Sequence, residues 1–171
     1  MHPPLWATCL AAVPYESPWK ALITSFKFQS QPGLAFFLAQ TMQMNPCIAK
    51  LVSDADHVIP VPLSSQRLRE RGFNQALQLA KHLAPPCVLA SGLVRFRDTT
   101  AQSGLTRQER LHNLTHAFIV APQYVSVLRQ SRVVLVDDVM TTGATLHACT
   151  QVLLAAGIAR VDVVALARTP A

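Results

Sequence analysis

Acidic residues are scarce in this sequence: nine Asp and Glu stand against 15 Lys and Arg in 171 residues, giving a formal net charge of +6 and a pI near 9.6. The excess, carried mostly by Arg, argues against a cationic partner and for an anionic one, phosphate or nucleic acid, without choosing between them. Aromatics are only 6% of the chain and do not interleave with the basic residues, so the stacking platforms of a single-strand binder are not evident. Long hydrophobic runs are also lacking. Pro, Gln, Arg or Asp interrupts each apolar stretch before the roughly 20 residues that a membrane helix needs, which argues against membrane insertion. Met1 to Leu10 has no basic region followed by an apolar core and cleavage site, so a cytoplasmic location is expected. Cysteine is sparse and scattered, at Cys9, Cys47, Cys87 and Cys149, with no short-spaced pair. No zinc or other metal cluster is expected, and each thiol reads as a small core residue.

Half the residues are apolar and 14% are charged, enough to bury one substantial core. We read residues 1–171 as a single unit, with a helical segment over 1–50 and an α/β core over 51–171. Ser17 and Pro18 suit the start of a helix with Trp19, Leu22, Ile23 and Phe26 on one stripe. Pro32 opens a second helix with Leu34, Phe37, Leu38 and Met42. His57 to Val61 reads as a strand, Gln66 to about Leu83 as one helix, and Val88 to Val94 and Ala117 to Val120 as further strands. Val133 to Val136 has the β-branched composition of a buried parallel strand. The stripe Leu146, Cys149, Leu153 and Ala156 then ends at Gly157, and Val161 to Leu166 returns as a strand. That last unit is a βαβ crossover, which implies a parallel sheet covered by helices.

The chemistry concentrates where this buried strand runs into Asp137, Asp138, Val139, Met140, Thr141, Thr142, Gly143, Ala144 and Thr145. Amides at a helix start carry the positive end of the helix dipole and suit a phosphate. Gly143 allows close approach, and the Thr hydroxyls can donate further hydrogen bonds. Asp137 and Asp138 would repel phosphate, but they suit the vicinal hydroxyls of a sugar. Taken singly, a paired Asp is ordinarily a solvated turn and Thr-Thr-Gly-Ala-Thr a helix cap. The sequence lacks the Gly-x-x-x-x-Gly-Lys pattern of the rival phosphate loop. A second constellation, Leu63, Ser64, Arg67 and Arg71, also follows a strand. Arg67 and Arg71 stand one helical turn apart, suited to a diphosphate or a nucleic-acid backbone, whereas Arg69 reads as solvated.

Joined in this order, Val133 to Thr145 resembles the phosphoribosyl pyrophosphate signature of type I phosphoribosyltransferases at every position. Further motifs extend over nearly the whole chain: Pro60-Val-Pro-Leu63, Arg71-Gly-Phe-Asn-Gln75, Arg95-x-Arg-x-Thr-x-x-Gln102, Arg110-x-x-Asn113 and Lys27-Phe28. Together they resemble the ComF/GntX family. The resemblance implies a type I phosphoribosyltransferase-like fold, a central parallel sheet flanked by helices with a flexible hood loop. It places Arg97, Thr99, Gln102 and Arg107 in that hood, although Thr99 also reads as a local cap and Arg107 as a solvent-facing residue. It implies phosphoribosyl pyrophosphate as ligand, Mg2+ held with its pyrophosphate, and a link to natural competence and the use of DNA. Single-stranded DNA and competence-machinery proteins are further expected partners, and a homodimer is common among type I enzymes. Members usually begin with a four-cysteine zinc module. Met1 to Trp6 resembles the stretch after its last cysteine. Two functions remain open: an enzyme whose acceptor is unidentified, and a non-catalytic binding module of DNA uptake that keeps the fold.

Overall fold

The period-two alternation of the buried strands decides the architecture. The computed structural model describes residues 4–28, 31–96 and 117–170. Four strands, β1 (Cys9–Pro14), β2 (His57–Pro60), β5 (Arg132–Met140) and β6 (Arg160–Arg168), form a sheet in the order β1-β6-β5-β2, parallel throughout. A bridge from Val88 to Val58 extends it beyond β2. Two short strands, β3 (Leu93–Arg95) and β4 (Phe118–Val120), pair antiparallel beside it.

Alternate side chains of the central strands enter different cores. Val134 and Val136 of β5 and Val164 and Leu166 of β6 face one cluster, whereas Val133, Leu135, Val163 and Ala165 face the other. The first cluster is covered by α1 (Trp19–Phe28), α2 (Leu34–Gln43), α3 (Pro46–Ser53) and α5 (Gln75–Leu83), through Ile23, Phe26, Leu38, Met42, Ile48 and Leu79. The second is covered by α6 (Val125–Leu128) and α7 (Ala144–Ala155), through Leu128, Leu146, Cys149 and Leu153. Helices on both faces of a parallel sheet are the layered solution for strands that are apolar on both sides. None of the described helices is long and apolar enough to cross a membrane.

Several local expectations are corrected. The first fifty residues are not helical throughout, because they also supply β1, which is hydrogen-bonded along β6. The helix expected over 66–83 is two helices, α4 (Ser65–Arg71) and α5. Gly72 adopts the left-handed conformation at φ 77°, and Asn74 then caps the new helix by accepting from the amide of Leu77. Asn45 likewise caps α3, a helix the apolar stripe did not reveal. Cys47 is exposed rather than a core residue, Cys9 and Cys87 are half-buried, and Cys149 is buried.

The main geometric consequence concerns β5. Strand β2 ends at Pro60 opposite Val136, and Val61 makes a last bond to the Val136 carbonyl, yet β5 continues alongside β6 as far as Met140. The Val61 carbonyl, which would receive the next rung from the Asp138 amide, accepts instead from Asn74 Nδ2, and that amide turns to Asp137 Oδ1. A crevice therefore opens at Asp137, between the carboxyl ends of β2 and β5. The chain passes outward from β2 to Val88 and returns to β5 on its other side, which makes this the switch point of the sheet. Because the break between α4 and α5 sets the position of Arg71, Gly72→Ala is expected to cost about 1 kcal/mol of stability in urea unfolding. This is a backbone penalty alone, since no atom stands within 4 Å of the added methyl.

Candidate functional site

Both sequence constellations come to this crevice from adjacent strand ends. The Asp137 and Asp138 pair lies within β5, not in the turn after it. Each side chain turns back on the backbone: Asp137 Oδ1 accepts from the Asp138 amide at 2.9 Å, and Asp138 Oδ1 accepts from the Val139 amide at 2.6 Å. Beyond them, Thr141 and Thr142 are exposed, Gly143 and Ala144 are buried, and Thr145 is half-buried. Gly143 sits at φ 74° at the start of α7. A side chain there would come within 3.0 Å of Met140 Cε and 3.2 Å of Trp6, whose ring also meets His147 edge-on. Trp6 is held over the turn because the next residue, Ala7, donates to the carbonyl of Val161 at the sheet edge.

Helical bonding in α7 begins with His147, which donates to the Gly143 carbonyl at 2.8 Å. The amides of Gly143, Thr145 and Leu146 precede it, and they have no acceptor among the described residues. The Ala144 amide reaches only Thr142 Oγ1, at 3.4 Å. Outward-facing amides, a positive helix terminus, two exposed hydroxyls and no acidic residue in the first helical turn form a cup for an anion.

The carboxylates behind the cup are not equivalent. Asp138 is buried, and its Oδ2 stands 3.1 Å from Lys27 Nζ and 3.6 Å from Arg71 Nη1, although neither cation gives it a well-directed hydrogen bond. Lys27 reaches it from the last turn of α1 and Arg71 from the end of α4. Arg71 is further oriented by Gln75 Oε1 at 3.0 Å and by the ring of Phe28, 5.5 Å below its guanidinium carbon. Asp137 has no such pairing among the described residues. Burial, reinforced by the adjacent Asp138 charge, pushes its carboxyl up to about 8.

The second constellation is distributed differently. Ser64 is buried and caps α4, accepting from the Arg67 amide at 3.2 Å; Leu63 is half-buried; and Asn74 Nδ2 donates to the Val61 carbonyl, which holds this loop beside β5. Arg67 and Arg69 are exposed, whereas Arg71 turns inward. Arg67 and Arg71 therefore do not face one common point. Arg97, Thr99, Gln102 and Arg107 lie outside the described residues. Lys27, Gln75, Trp6 and Phe28 were missing from the expected site. Lys27, Phe28, Gln75 and Trp6 stand in the stretches that carry the family resemblance, but long-range packing brings them here and no chemistry in their own segments marks them for the site. In the folded chain two basic residues lie over aromatic rings, Arg71 on Phe28 and Arg95 on Phe118. A separate groove of about 390 Å³ lies at the opposite, amino ends of the strands, lined by residues that include Thr8, Lys50, Asp54, Arg132 and Arg160.

Comparison with known proteins agrees with this geometry. Residues 68–171 match the phosphoribosyl transferase domain, which the parallel sheet and its switch-point cup also define. Over 172 residues the chain is 35% identical to competence protein F of Haemophilus influenzae, covering 96% of this chain and 74% of that protein. It is 32% identical to the DNA utilization protein YhgH of Escherichia coli K12, covering 98% and 74%. It is also 32% identical to competence protein ComFC of Bacillus subtilis, over 84% of this chain and 56% of that one. A solved structure of an allosteric regulatory enzyme of purine biosynthesis shares the fold at a TM-score of 0.50 and 19% identity, over 84% of this chain and 30% of its own length. The chain belongs to the ComF family of phosphoribosyltransferase-fold proteins.

Two stability measurements probe the carboxylates. Lys27→Met leaves Asp138 facing only the more distant Arg71, and should destabilise the fold by about 2–4 kcal/mol in denaturant titration. Much of that loss should return when Asp138→Asn is added, since the uncompensated charge is then gone. For Asp137 the folded-state value is raised, so its contribution favours folding at low pH and is lost as pH rises from about 4 through about 8. Asp137→Asn should therefore match the wild type near pH 4 and exceed its stability by about 1–3 kcal/mol at pH 8, the half-buried position tempering the gain.

Proposed function

We propose that the crevice binds phosphoribosyl pyrophosphate or a related ribose phosphate, with the 5-phosphate in the cup of Thr141 to Thr145 and the ribose hydroxyls over Asp137 and Asp138. The observation that carries this reading is the direct succession, along one strand end, of two carboxylates and a glycine-centred anion cup. A phosphate next to a diol matches that succession, whereas a simple anion leaves the carboxylates without purpose. Asp137, whose carboxyl burial pushes up to about 8, can donate a hydrogen bond to a sugar hydroxyl.

Among the described residues no three carboxylate, His or Cys side chains converge, and Asp138 already faces two cations. On this reading an Mg2+ ion is carried by the diphosphate oxygens rather than caged by protein. When bound, the ion would neutralise charge on the departing pyrophosphate. As an enzyme, the protein would let an acceptor nucleophile bond to the anomeric carbon while the bond to pyrophosphate breaks and pyrophosphate leaves. The chain's own contribution is to hold phosphate and diol so that the anomeric carbon is presented in one orientation. The work would take place in the cytoplasm and serve DNA uptake or utilisation, in keeping with the names of the relatives.

The exposed Arg67 and Arg69 favour a second reading, a non-catalytic module whose basic rim meets single-stranded DNA or a partner protein. Calorimetric titration of phosphoribosyl pyrophosphate with Mg2+ decides the first reading. Saturable binding to the wild type that weakens at least tenfold in Asp137→Asn, Asp138→Asn, with the fold intact by circular dichroism, is the expected outcome. No binding by folded wild-type protein leaves the second reading.

A further inference from the structure

Phe28 is the side chain the site does not yet explain. It ends α1 with 64% of its surface exposed, unlike Phe26 two positions earlier, which is fully buried and packed at 5.5 Å on the Phe73 ring. Its ring is not loosely placed. The Arg71 guanidinium lies over it at 5.5 Å, and Arg71 is in turn fixed by Gln75 and by Asp138. A cation over the ring is favourable, and it holds an exposed aromatic at the rim in a set orientation. A large exposed apolar ring held by a fully engaged cation, one residue from the Lys27 that touches Asp138, differs from the scattered exposed apolar residues any surface carries.

The order of contacts supplies the ligand class. The anion cup adjoins the Asp137 and Asp138 pair; Asp138 touches Arg71; Arg71 covers Phe28. Phosphate, sugar and planar ring follow one another in the same order in a nucleoside 5′-monophosphate. Aromatic side chains bind such rings by stacking, with little dependence on which base is present, because every base has a π face. Resting on the ribose-phosphate reading above, we infer that Phe28 is the platform for the planar nitrogen heterocycle joined to, or to be joined to, the ribose. It sets the preference for a base-bearing ligand over a bare sugar phosphate. Phe28 is a binding residue in this assignment, and Arg71 positions it.

The test compares ribose 5-phosphate with adenosine and uridine 5′-monophosphates by calorimetry on the wild type, Phe28→Leu and Phe28→Tyr. The wild type should bind the adenosine nucleotide about tenfold more tightly than ribose 5-phosphate, the uridine nucleotide falling between, as expected for one stacked ring. Phe28→Leu, which keeps an apolar side chain without a π face, should bind all three with equal affinity. Phe28→Tyr should restore the preference. Equal affinities in the wild type, or a preference that survives in Phe28→Leu, overturn the assignment and leave the ribose-phosphate site standing. Failure of every form to bind ribose 5-phosphate or either nucleotide overturns that site and the assignment with it.

Discussion

A strand that outruns its neighbour governs the chemistry of this protein. The β2 ladder ends at Val61, whose carbonyl is taken by the Asn74 side chain, while β5 is carried on to Met140 by its pairing with β6. On one side β5 remains buried sheet. On the other, its backbone and carboxylates have no partner strand among the described residues. A shorter β5 would have put Asp137 and Asp138 in a solvated turn, where carboxyls keep ordinary acidities and face no fixed direction. Here one of them is pushed up to about 8 by burial and its neighbour. The uneven strand ends convert two common residues into a perturbed, oriented pair.

The helical layer answers that charge. Lys27 and Arg71 arrive from the ends of α1 and α4, elements that meet only in the folded chain, and converge on one oxygen of Asp138. Burying an ion cluster adds little net stability, because desolvation consumes most of the attraction. Its physical effect is to fix how α1 and α4 meet the sheet. Rigidity of the crevice walls follows from electrostatics that the apolar cores alone would not impose, since hydrophobic packing has no preferred direction.

Local signals and long-range ones differed sharply in what they revealed. The β-branched run at Val133 to Val136, the stripe of α7 and the glycine at 143 were legible because each depends on nearby sequence. The phosphoribosyltransferase-type fold and ComF membership followed from motifs of the same local kind. The length of β5 was not legible: Asp137 and Asp138 are poor strand formers, and only pairing with Ala165 and its neighbours holds them extended. The strand β1 was hidden for a related reason, since Cys9–Pro14 shows no alternation when both its faces are half covered. Gly72 weakens a helix start on any reading, but only its left-handed backbone turned a weak helix into two. Lys27 and Phe28 gave no chemical signal of their own. Their roles exist only where α1 ends against Arg71.

The antiparallel pairing of β3 with β4 carries a consequence for how such proteins diversify. Arg95 lies opposite Phe118, so the chain leaves and re-enters the described body at neighbouring points. Closing a longer excursion between fixed, adjacent ends costs only about 0.6 kcal/mol for each doubling of its length. The spacing of these two strand ends thus sets only a small entropic penalty on changes in the number of residues between them.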